Sequence, residues 1–555
     1  MTKTQALELV TLEYQLHQLP SSQHRAGLAG LILKIQWLQQ QEAFKASVDT
    51  VCGIIHLDAS KATLQFNLAG LTALFRSHYS ASFKDREQLK PRTTESQNFR
   101  IIQREIYDEK IDCSKLTNIY IYQDIVPQGH LVQSFDPTAN NSQIWTKLWQ
   151  EATCAILRPS GRQRIPFKAM VGGADPPEIE KVWKLLLKRP NAAVHLSSTY
   201  MLGVQRKNNE GMPMDDRARD FFLLHFWSYV AQIYQPIHVD AKEKVTLHGY
   251  AIAIPDVRNL SSFCQHFPSI LQQRSTEIKW DKPEEAIVRD PIEAGLMMLS
   301  SIQTYLQANT DGIDINNLLF GVDVFHLFRK KYEAQILSIQ HYLPDKDTIE
   351  EFTKLEHKIF NSTFRIQYWQ NLIHNRPRIT GFDTILQNLP TKKTIGDRWF
   401  RRDFRTLFHP QSHPMTPEET EIDKTEELES AESFAPKEIS LEVLVLRLLK
   451  NYTRHKLKHR FGIEWNKEWS SQNPEIRNQD AAYQAYKQRK EHVIKNLHTD
   501  FRHHRRPNEF LAYFATQFTG VYQYLSTQEY LFLAEQIQSQ PERIQILCLL
   551  ALPAL

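Results

Sequence analysis

Residues 19–33 read LPSSQHRAGLAGLIL, and this stretch decides how the first half of the chain folds. A proline and two serines precede an apolar run, which predicts a helix capped by Ser21 or Ser22. Gly27 and Gly30 lie inside that helix, where each costs about 1 kcal/mol relative to alanine. A helix that keeps two such glycines is expected to pack this face very close to another backbone.

Three polar residues, Gln23, His24 and Arg25, occupy the first turn of the predicted helix. Free amide groups and the helix dipole favour an anion at such a position, and a phosphate is one suitable anion. The alternative is a close-packed core helix with a charged start. These residues alone leave both interpretations open.

Two further stretches share their order of parts with a known family. Residues 199–240 read TYMLGVQRKNNEGMPMDDRARDFFLLHFWSYVAQIYQPIHVD, and residues 249–260 read GYAIAIPDVRNL. Together with residues 19–33, they resemble the large subunit of type I CRISPR Cascade complexes, in the MYXAN branch allied to subtype I-B. The resemblance covers the first half of the chain, and the second half is assigned by composition and order.

The resemblance implies a binding role without catalysis. In such complexes the large subunit recognises the short motif that flanks the target (the PAM), touches the 5′ handle of the guide RNA and starts duplex opening. The implied partners are guide RNA, target double-stranded DNA, the other Cascade backbone subunits, small-subunit copies, and a helicase-nuclease or transposition proteins. Gln23, His24 and Arg25 are the expected RNA contacts.

Composition and periodicity predict an α+β fold with several domains along the 555 residues. Residues 1–277 predict a mixed body with antiparallel strands, and residues 278–410 predict a helical rear part of that body. The resemblance implies that residues 1–277 recognise the flank and contact the guide handle. Residues 411–437 predict an acidic, disordered linker. Residues 438–555 predict an all-α basic bundle that resembles the Cascade small subunit.

Several elements are predicted individually from their periodicity. Residues 1–45 predict two helices, and residues 278–389 predict a succession of helices. Val51–Leu57 and Thr63–Leu68 predict two strands joined by a polar turn. The aromatic run Phe221–Ala231 predicts a buried helix.

Charge is nearly balanced over the whole chain but uneven along it. The net charge of +4 argues against a uniformly basic nucleic-acid binder. Residues 410–442 contain ten acids, whereas residues 444–506 contain fifteen Lys and Arg against six Asp and Glu, a net charge of +9. Tyr452, Tyr483 and Tyr486 lie among these cations, which favours a track along a single strand over a merely solvated helix face. The expected strand contacts of the bundle are Arg447, Lys450, Arg454, Lys458, Lys487, Arg489, Lys495, Arg502, Arg505 and Arg506.

Two loops have the composition of a DNA-binding site. Residues 158–168 read RPSGRQRIPFK, with four cations, no acid and a glycine that lets the backbone approach a duplex. Residues 205–211 read QRKNNEG, in which the asparagines suit base edges and the cations suit phosphate. The alternatives are a solvated surface loop and a turn rich in Asn and Gly. The expected DNA contacts are Arg158, Ser160, Gly161, Arg162, Gln163, Arg164, Lys168, Gln205, Arg206, Lys207, Asn208, Asn209, Arg217 and Arg219.

Motifs for catalysis and cofactor binding are missing from the sequence. It has no phosphate-binding GxxxxGK[ST] loop and no GxGxxG after a strand, and its five scattered cysteines form no CxxC pair. No catalytic residue, metal site or cofactor is therefore expected. The cysteine usage and the lack of a membrane-spanning segment favour a reducing cytoplasm without membrane partners. The resemblance implies that this cytoplasm is prokaryotic.

One fragment offers a rival interpretation. Residues 171–176, VGGADP, are similar to the Gly-Gly-Asp-Asp turn of palm-type polymerases, but Ala174 replaces one of the two carboxylates that hold magnesium there. Asp175 is instead expected to cap the helix that begins near Pro177. A degenerate palm-type nuclease or polymerase-like subunit, and a scaffold that binds no nucleic acid, remain the two alternatives.

Overall fold

The computed structural model divides the chain into two compact units, Met1–Glu350 and Glu351–Leu555. It describes residues 8–47, 49–90, 99–108, 113–128, 143–204, 214–239, 245–310, 312–331, 333–408, 440–466, 468–471, 474–504 and 506–555. The predicted linker, residues 411–437, lies outside these ranges. The four-part division of the chain stays a prediction.

The first unit mixes helices with antiparallel sheets, which confirms the predicted α+β class. Its strands are Val10–Gln15, Cys52–Leu57, Lys61–Phe66, Ala81–Gln88, Phe99–Asp108, Cys113–Pro127, Ala193–His195, Asp215–Arg217, Gln232–Val239, Val245–Leu247, Tyr250–Val257, Ile278–Lys279, Lys282–Pro283, Ile287–Val288, Leu319–Lys330 and Glu333–Tyr342. Its α-helices are Ser22–Gln40, Glu42–Lys45, Leu68–His78, Gln143–Ala152, Ile165–Val171, Glu178–Lys188, Ala218–Leu223, Leu260–Gln272, Pro291–Asn309 and Ile315–Leu318.

The helix Ser22–Gln40, called the central helix below, is buried along most of its length. A Cβ atom at Gly27 would lie 2.4 Å from the carbonyl oxygen of Leu223, and one at Gly30 would lie 2.2 Å from that of Phe226. Any side chain at these positions would therefore collide with a backbone. This close approach confirms the contact that the two glycines predicted.

The backbone that meets the glycines is the aromatic run predicted as one helix. It is buried as predicted, but the α-helix ends at Leu223, and a separate 3₁₀ turn covers Trp227–Tyr229. The break lies between Leu223 and Phe226, the two residues whose carbonyl oxygens approach the central helix. The aromatic run is therefore not one continuous helix, and its interruption lies where it packs against the central helix.

The largest sheet of the first unit lies against the central helix. Its antiparallel strands follow the order Val245–Leu247, Gln232–Val239, Tyr250–Val257, Leu319–Lys330 and Glu333–Tyr342. The last two strands fall where the sequence predicted helices, so that prediction is wrong between residues 319 and 342. Long-range pairing decides the conformation of such apolar segments, whose short-range pattern is ambiguous.

A second difference concerns the first residues of the chain. Val10–Gln15 forms a strand, where the sequence predicted a helix, and pairs with Lys61–Phe66. Val10, Leu12 and Tyr14 are buried and alternate with more exposed residues. The two strands predicted at Val51–Leu57 and Thr63–Leu68 are confirmed with shifted bounds, since Cys52–Leu57 pairs antiparallel with Lys61–Phe66.

In the second unit, every regular element of the described residues is a helix, which confirms the all-α bundle. The helices that follow Lys346–Leu355 are Ser362–Ile373, Phe382–Asn388, Arg398–Phe408, Leu441–Phe461, Glu468–Ser471, Pro474–Gln479, Ala481–His503, Pro507–Gln517, Thr527–Ser539 and Pro541–Ala551. Within the described ranges, no helix has the length and apolarity needed to cross a membrane.

Candidate nucleic-acid interface

The first turn of the central helix anchors two distant segments of the chain. Gln23 Nε2 donates to the carbonyl oxygen of Leu202 at 3.0 Å, and the Leu202 amide donates to Gln23 Oε1 at 2.8 Å. His24 Nε2 lies 2.6 Å from Asp216 Oδ2. The predicted loop 205–211 connects Leu202 to Asp216, so the chain on both of its sides is anchored to one helical turn.

These contacts give the three expected RNA-binding residues partners inside the chain. Gln23 and His24 are only 2% and 1% exposed. Arg25 pairs with Asp256, and its Nη1 donates to the carbonyl oxygen of Leu19 at 2.9 Å. An RNA contact by these residues stays a prediction, and Arg25 is the most exposed of the three.

The central helix begins as predicted, but its serines act differently from a usual cap. Ser21 occupies the N-cap position without a side-chain hydrogen bond to a backbone amide. Its hydroxyl instead lies 2.7 Å from His24 Nδ1. Ser22 donates to the carboxylate of Asp323. Both hydroxyls therefore fix side chains of the site.

Arg158, the first residue of the basic loop, is buried in an aromatic box. Its guanidinium carbon lies 5.1, 5.5 and 5.2 Å from the ring centroids of Tyr79, Phe167 and Tyr200. Its Nη2 donates to the hydroxyl of Tyr79 at 3.0 Å. Burial holds the pKa of neighbouring His225 well below its usual range, so this imidazole adds no charge beside Arg158.

Two other members of the loop also bind inside the chain. Gln163 Nε2 donates to Thr199 Oγ1 at 3.1 Å, which connects this loop to the segment that leads into the second loop. Arg164 donates to the carbonyl oxygens of Arg158 and Cys154 at 2.9 and 2.8 Å. These side chains shape the loop, and their contact with DNA stays a prediction.

The remaining members of the basic loop are open to solvent. Gly161, Arg162 and Lys168 are exposed, and Ser160 is half-buried. A Cβ atom at Gly161 would meet nothing within 4 Å, so the space that a duplex backbone would need is present there. Arg162 and Lys168 are the cations of this loop that a phosphate can reach without rearrangement.

The second loop, residues 205–211, lies entirely outside the described residues. The roles of Gln205, Arg206, Lys207, Asn208 and Asn209 therefore stay predictions. Arg217 and Arg219 follow the loop. Both lie within 4.0 Å of Asp220, and burial raises the pKa of this carboxyl.

Arg217 and Arg219 differ in their exposure. The Arg217 side chain is 45% exposed, whereas that of Arg219 is 23% exposed and lies 4.8 Å from the ring centroid of Tyr14. Arg219 also donates to the carbonyl oxygen of Glu13. Arg217 is thus the better placed of the two for a phosphate.

The ten predicted strand contacts of the C-terminal bundle differ in their exposure. Four of them are exposed: Lys458, Arg489, Lys495 and Arg506. Five are half-buried: Arg447, Lys450, Arg454, Lys487 and Arg502. Arg505 lies outside the described residues. Among the ion pairs of these cations are Arg447 with Glu529, Lys458 with Glu464 at 2.7 Å, Lys495 with Glu491 at 3.6 Å and Arg506 with Glu509 at 3.5 Å.

The tyrosines of the bundle do not form the exposed track that the sequence favoured. Tyr452, Tyr483 and Tyr486 are at most 8% exposed. Tyr452 packs on Phe518, and the other two pack on a pair of tryptophans. That part of the prediction is wrong because these rings form the core that holds the helices together.

Two family models together match most of the chain. The Type I-B CRISPR Cas8b N-terminal domain matches residues 51–312, and the Type I-B CRISPR Cas8b C-terminal domain matches residues 319–555. The chain belongs to the type I-B CRISPR Cas8b family. It is therefore a large subunit of a type I-B Cascade, as the resemblance implied. No curated protein matches the chain.

The two Cas8b matches divide the candidate interface. Both DNA loops lie in the N-terminal match, and the basic bundle lies in the C-terminal match. The anchor residues Gln23 and His24 precede residue 51, where the N-terminal match begins. Within the described residues of this Cas8b chain, no group of three or more His, Cys, Asp or Glu could hold a metal ion.

Asp175, from the fragment similar to a palm turn, has a different role in Cas8b from the one predicted. Pro177 is the N-cap of the helix Glu178–Lys188, which has no side-chain cap. Asp175 instead receives two hydrogen bonds from Arg76, at 2.5 and 3.1 Å. The cap prediction is wrong, and the Asp175 carboxylate is used instead to pair with the Arg76 guanidinium.

Sequence reasoning missed one cluster of cations and aromatic rings. The helix Arg398–Phe408 reads RWFRRDFRTLF, with four arginines around an exposed Trp399. It precedes the acidic stretch and was counted with the rear helices of the body. Its density of Arg beside Trp and Phe is the signal that could have revealed it.

Proposed function

We propose that this Cas8b chain recognises the PAM flank of target DNA, contacts the 5′ handle of the guide RNA and promotes R-loop formation, without catalysing a reaction. The observation that carries this proposal is that the first predicted DNA loop is bonded to the segment that precedes the second. Gln163 of the first loop bonds to Thr199, and Leu202, three residues further on, is clamped by Gln23. The first loop and the segment that leads into the second are therefore held by one connected set of contacts.

The two loops have different roles in this proposal: one positions the DNA duplex, and the other reads its base sequence. Arg162 and Lys168 are the exposed cations of the first loop, and contacts of this kind hold phosphates whatever the sequence. Asn208 and Asn209 carry the amide groups that suit base edges. In this proposal the first loop holds the duplex, and the second reads the flank.

Contact with the guide RNA is proposed at Arg25. The ring of Phe320, 47% exposed, lies 5.9 Å from its guanidinium carbon and 5.5 Å from that of Arg258. RNA-binding proteins bind unstacked bases by stacking them on aromatic rings and on arginine guanidinium groups. Gln23 and His24 would support this contact through their anchors.

The remaining roles follow from the family and the charge pattern. The exposed cations of the bundle, such as Lys458 and Arg506, would hold a nucleic-acid strand through its phosphates. The proposed partners are the Cascade backbone subunits, small-subunit copies, and a helicase-nuclease or transposition proteins that would be recruited once the target is bound. We place this activity in a prokaryotic cytoplasm.

The test compares two double variants in Cascade reconstituted with guide RNA. Asn208→Ala with Asn209→Ala should abolish flank preference, at about 1–3 kcal/mol per lost base contact. Arg162→Gln with Lys168→Gln should weaken binding to all flanks alike and reduce its salt dependence. Wild-type affinity of both variants for every flank, at several salt concentrations, would contradict the proposal.

A further inference from the structure

The second unit carries a cluster of rings and arginines that belongs to none of the surfaces above. Phe360 and Trp399 stack with their ring centroids 5.0 Å apart and their planes inclined by 28°. The guanidinium carbon of Arg402 lies 4.5 Å from the Phe360 centroid, and that of Arg398 lies 5.4 Å from the Trp399 centroid. These four side chains are called the Trp399 cluster below.

The helix Arg398–Phe408 orients the cluster by burying its opposite face. Phe400 and Phe404 are fully buried and pack on Phe364, at 6.3 and 5.6 Å between ring centroids. Residues at i and i+4 share one face of a helix. Arg398 and Arg402, with the same spacing, therefore lie together on another face.

Asp403 fixes the other half of the cluster. This buried carboxylate accepts hydrogen bonds from the backbone amides of Phe360 and Asn361, at 2.8 and 2.6 Å. The two bonds tie the segment that carries Phe360 to the helix that carries Trp399. The stack is thus held by a specific polar contact as well as by apolar packing.

The cluster combines exposed aromatic surface with two guanidinium groups. Phe360 and Trp399 are each 36% exposed. Arg402 Nη1 is buried and has no hydrogen-bond partner among the described residues. Burial lowers the pKa of Arg402, the charge of Asp403 opposes this shift, and the charge of Arg398 adds to it.

We propose that the Trp399 cluster binds single-stranded nucleic acid. One unpaired base stacks on the exposed Trp399–Phe360 pair, and the adjoining phosphates contact Arg398 and Arg402. Bases inside a duplex are already stacked on each other, so a paired strand does not offer this contact. The site lies in the second unit and does not depend on the proposed flank-reading loops of the first.

The test separates base stacking from general electrostatic binding. Fluorescence anisotropy with the full chain measures affinity for labelled oligothymidylate, oligouridylate, an abasic DNA strand of the same length and a blunt duplex. Trp399→Ala should weaken binding of the base-bearing strands about 5- to 150-fold and leave the abasic strand unchanged. Arg402→Gln should weaken both kinds of strand, and the two base-bearing probes distinguish DNA from RNA.

Matched variants identify the cause of any loss. Trp399→Phe should keep most of the preference for base-bearing strands, and Tyr530→Ala, which removes an exposed ring of the same unit, should keep all of it. Asn208→Ala should also keep it, so failure of the flank proposal and failure of this one are distinguishable. A folded Trp399→Ala chain with wild-type affinity, or with equal losses on abasic and base-bearing strands, would overturn the inference.

Photocrosslinking covers the case in which Trp399→Ala fails to fold. The wild-type chain is irradiated with an oligonucleotide that carries 5-iodouracil, and the crosslinked peptides are identified by mass spectrometry. Crosslinks at Phe360 or Trp399 are the expected result. Crosslinks that form only elsewhere in the chain would overturn the inference.

Discussion

Gln23 and Leu202 exchange two hydrogen bonds across 179 residues of sequence, and both partners are buried. The side-chain amide of Gln23 satisfies the amide and the carbonyl of one residue, as a neighbouring strand would. Leu202 leads into the predicted flank-reading loop. This pair of hydrogen bonds fixes the segment before that loop against the first turn of the central helix.

Replacement of Gln23 should therefore affect stability and recognition together. Gln23→Ala leaves the amide and carbonyl of Leu202 buried without partners, which should cost about 1–3 kcal/mol of unfolding free energy. Chemical denaturation measures this loss, and DNA binding should show reduced flank discrimination. Gln40→Ala, at an exposed position of the same helix, is the control and should change neither property. Unaltered stability of the Gln23 variant would contradict the clamp.

The glycine face of the central helix predicts an asymmetry between glycines. Gly27→Ala or Gly30→Ala would force a methyl group against a carbonyl oxygen and should destabilise the chain by about 1–3 kcal/mol or more. Gly161→Ala meets no neighbour and should be neutral or stabilise by about 0.4–1 kcal/mol. Thermal unfolding measures all three, and equal effects at the three positions would refute the close approach.

His341 and Asp323 predict a pH-dependent contribution to stability. His341 Nδ1 lies 2.6 Å from Asp323 Oδ1, and this hydrogen bond raises the pKa of His341. Burial opposes ionisation of Asp323, but hydrogen bonds with His341 and Ser22 hold the pKa of Asp323 below its usual value. Asp256 raises and Arg25 lowers the pKa of His341 in addition.

The sign of the effect follows from these directions. The raised pKa of His341 stabilises the fold fully below about pH 6.5, and this contribution is lost as pH rises through the folded-state pKa. The lowered pKa of Asp323 contributes above about pH 4 and is lost on acidification. The melting temperature of the wild type should therefore exceed that of His341→Gln most near pH 5–6. A difference that stays constant up to pH 9 would contradict the assignment.

Asp175 should be dispensable, because its pair with Arg76 is exposed. Surface ion pairs contribute about 0–1 kcal/mol, so Asp175→Ala should shift the melting temperature only slightly. The wild-type chain should show no metal-dependent cleavage of DNA or RNA in a gel assay. Cleavage that the Asp175→Ala substitution abolishes would support the rival palm-type function.

Local patterns in the sequence were sufficient to predict the fold class and several of its helices and strands. Two interior glycines predicted a backbone contact, and the polar turn between two apolar runs predicted the hairpin of Cys52–Leu57 and Lys61–Phe66. Val10, Leu12 and Tyr14 alternate with polar residues in the sequence, which is typical of a strand, whereas the prediction for residues 1–45 is two helices. The strands Leu319–Lys330 and Glu333–Tyr342 could not be assigned by pattern, since their apolar runs fit helix and strand alike.

The sequence by itself determined the α+β class, the basic loops and the basic helical bundle, because composition and periodicity are local properties. The resemblance of residues 19–33, 199–240 and 249–260 indicated the large-subunit family. Tertiary structure alone decided which polar residues face inward. Gln23, His24 and Arg158 read as surface contacts in the sequence, yet each is buried. Their partners, such as Leu202 and Asp216, lie 179 and 192 residues away, and burial of a polar group depends on such distant partners rather than on its neighbours in sequence.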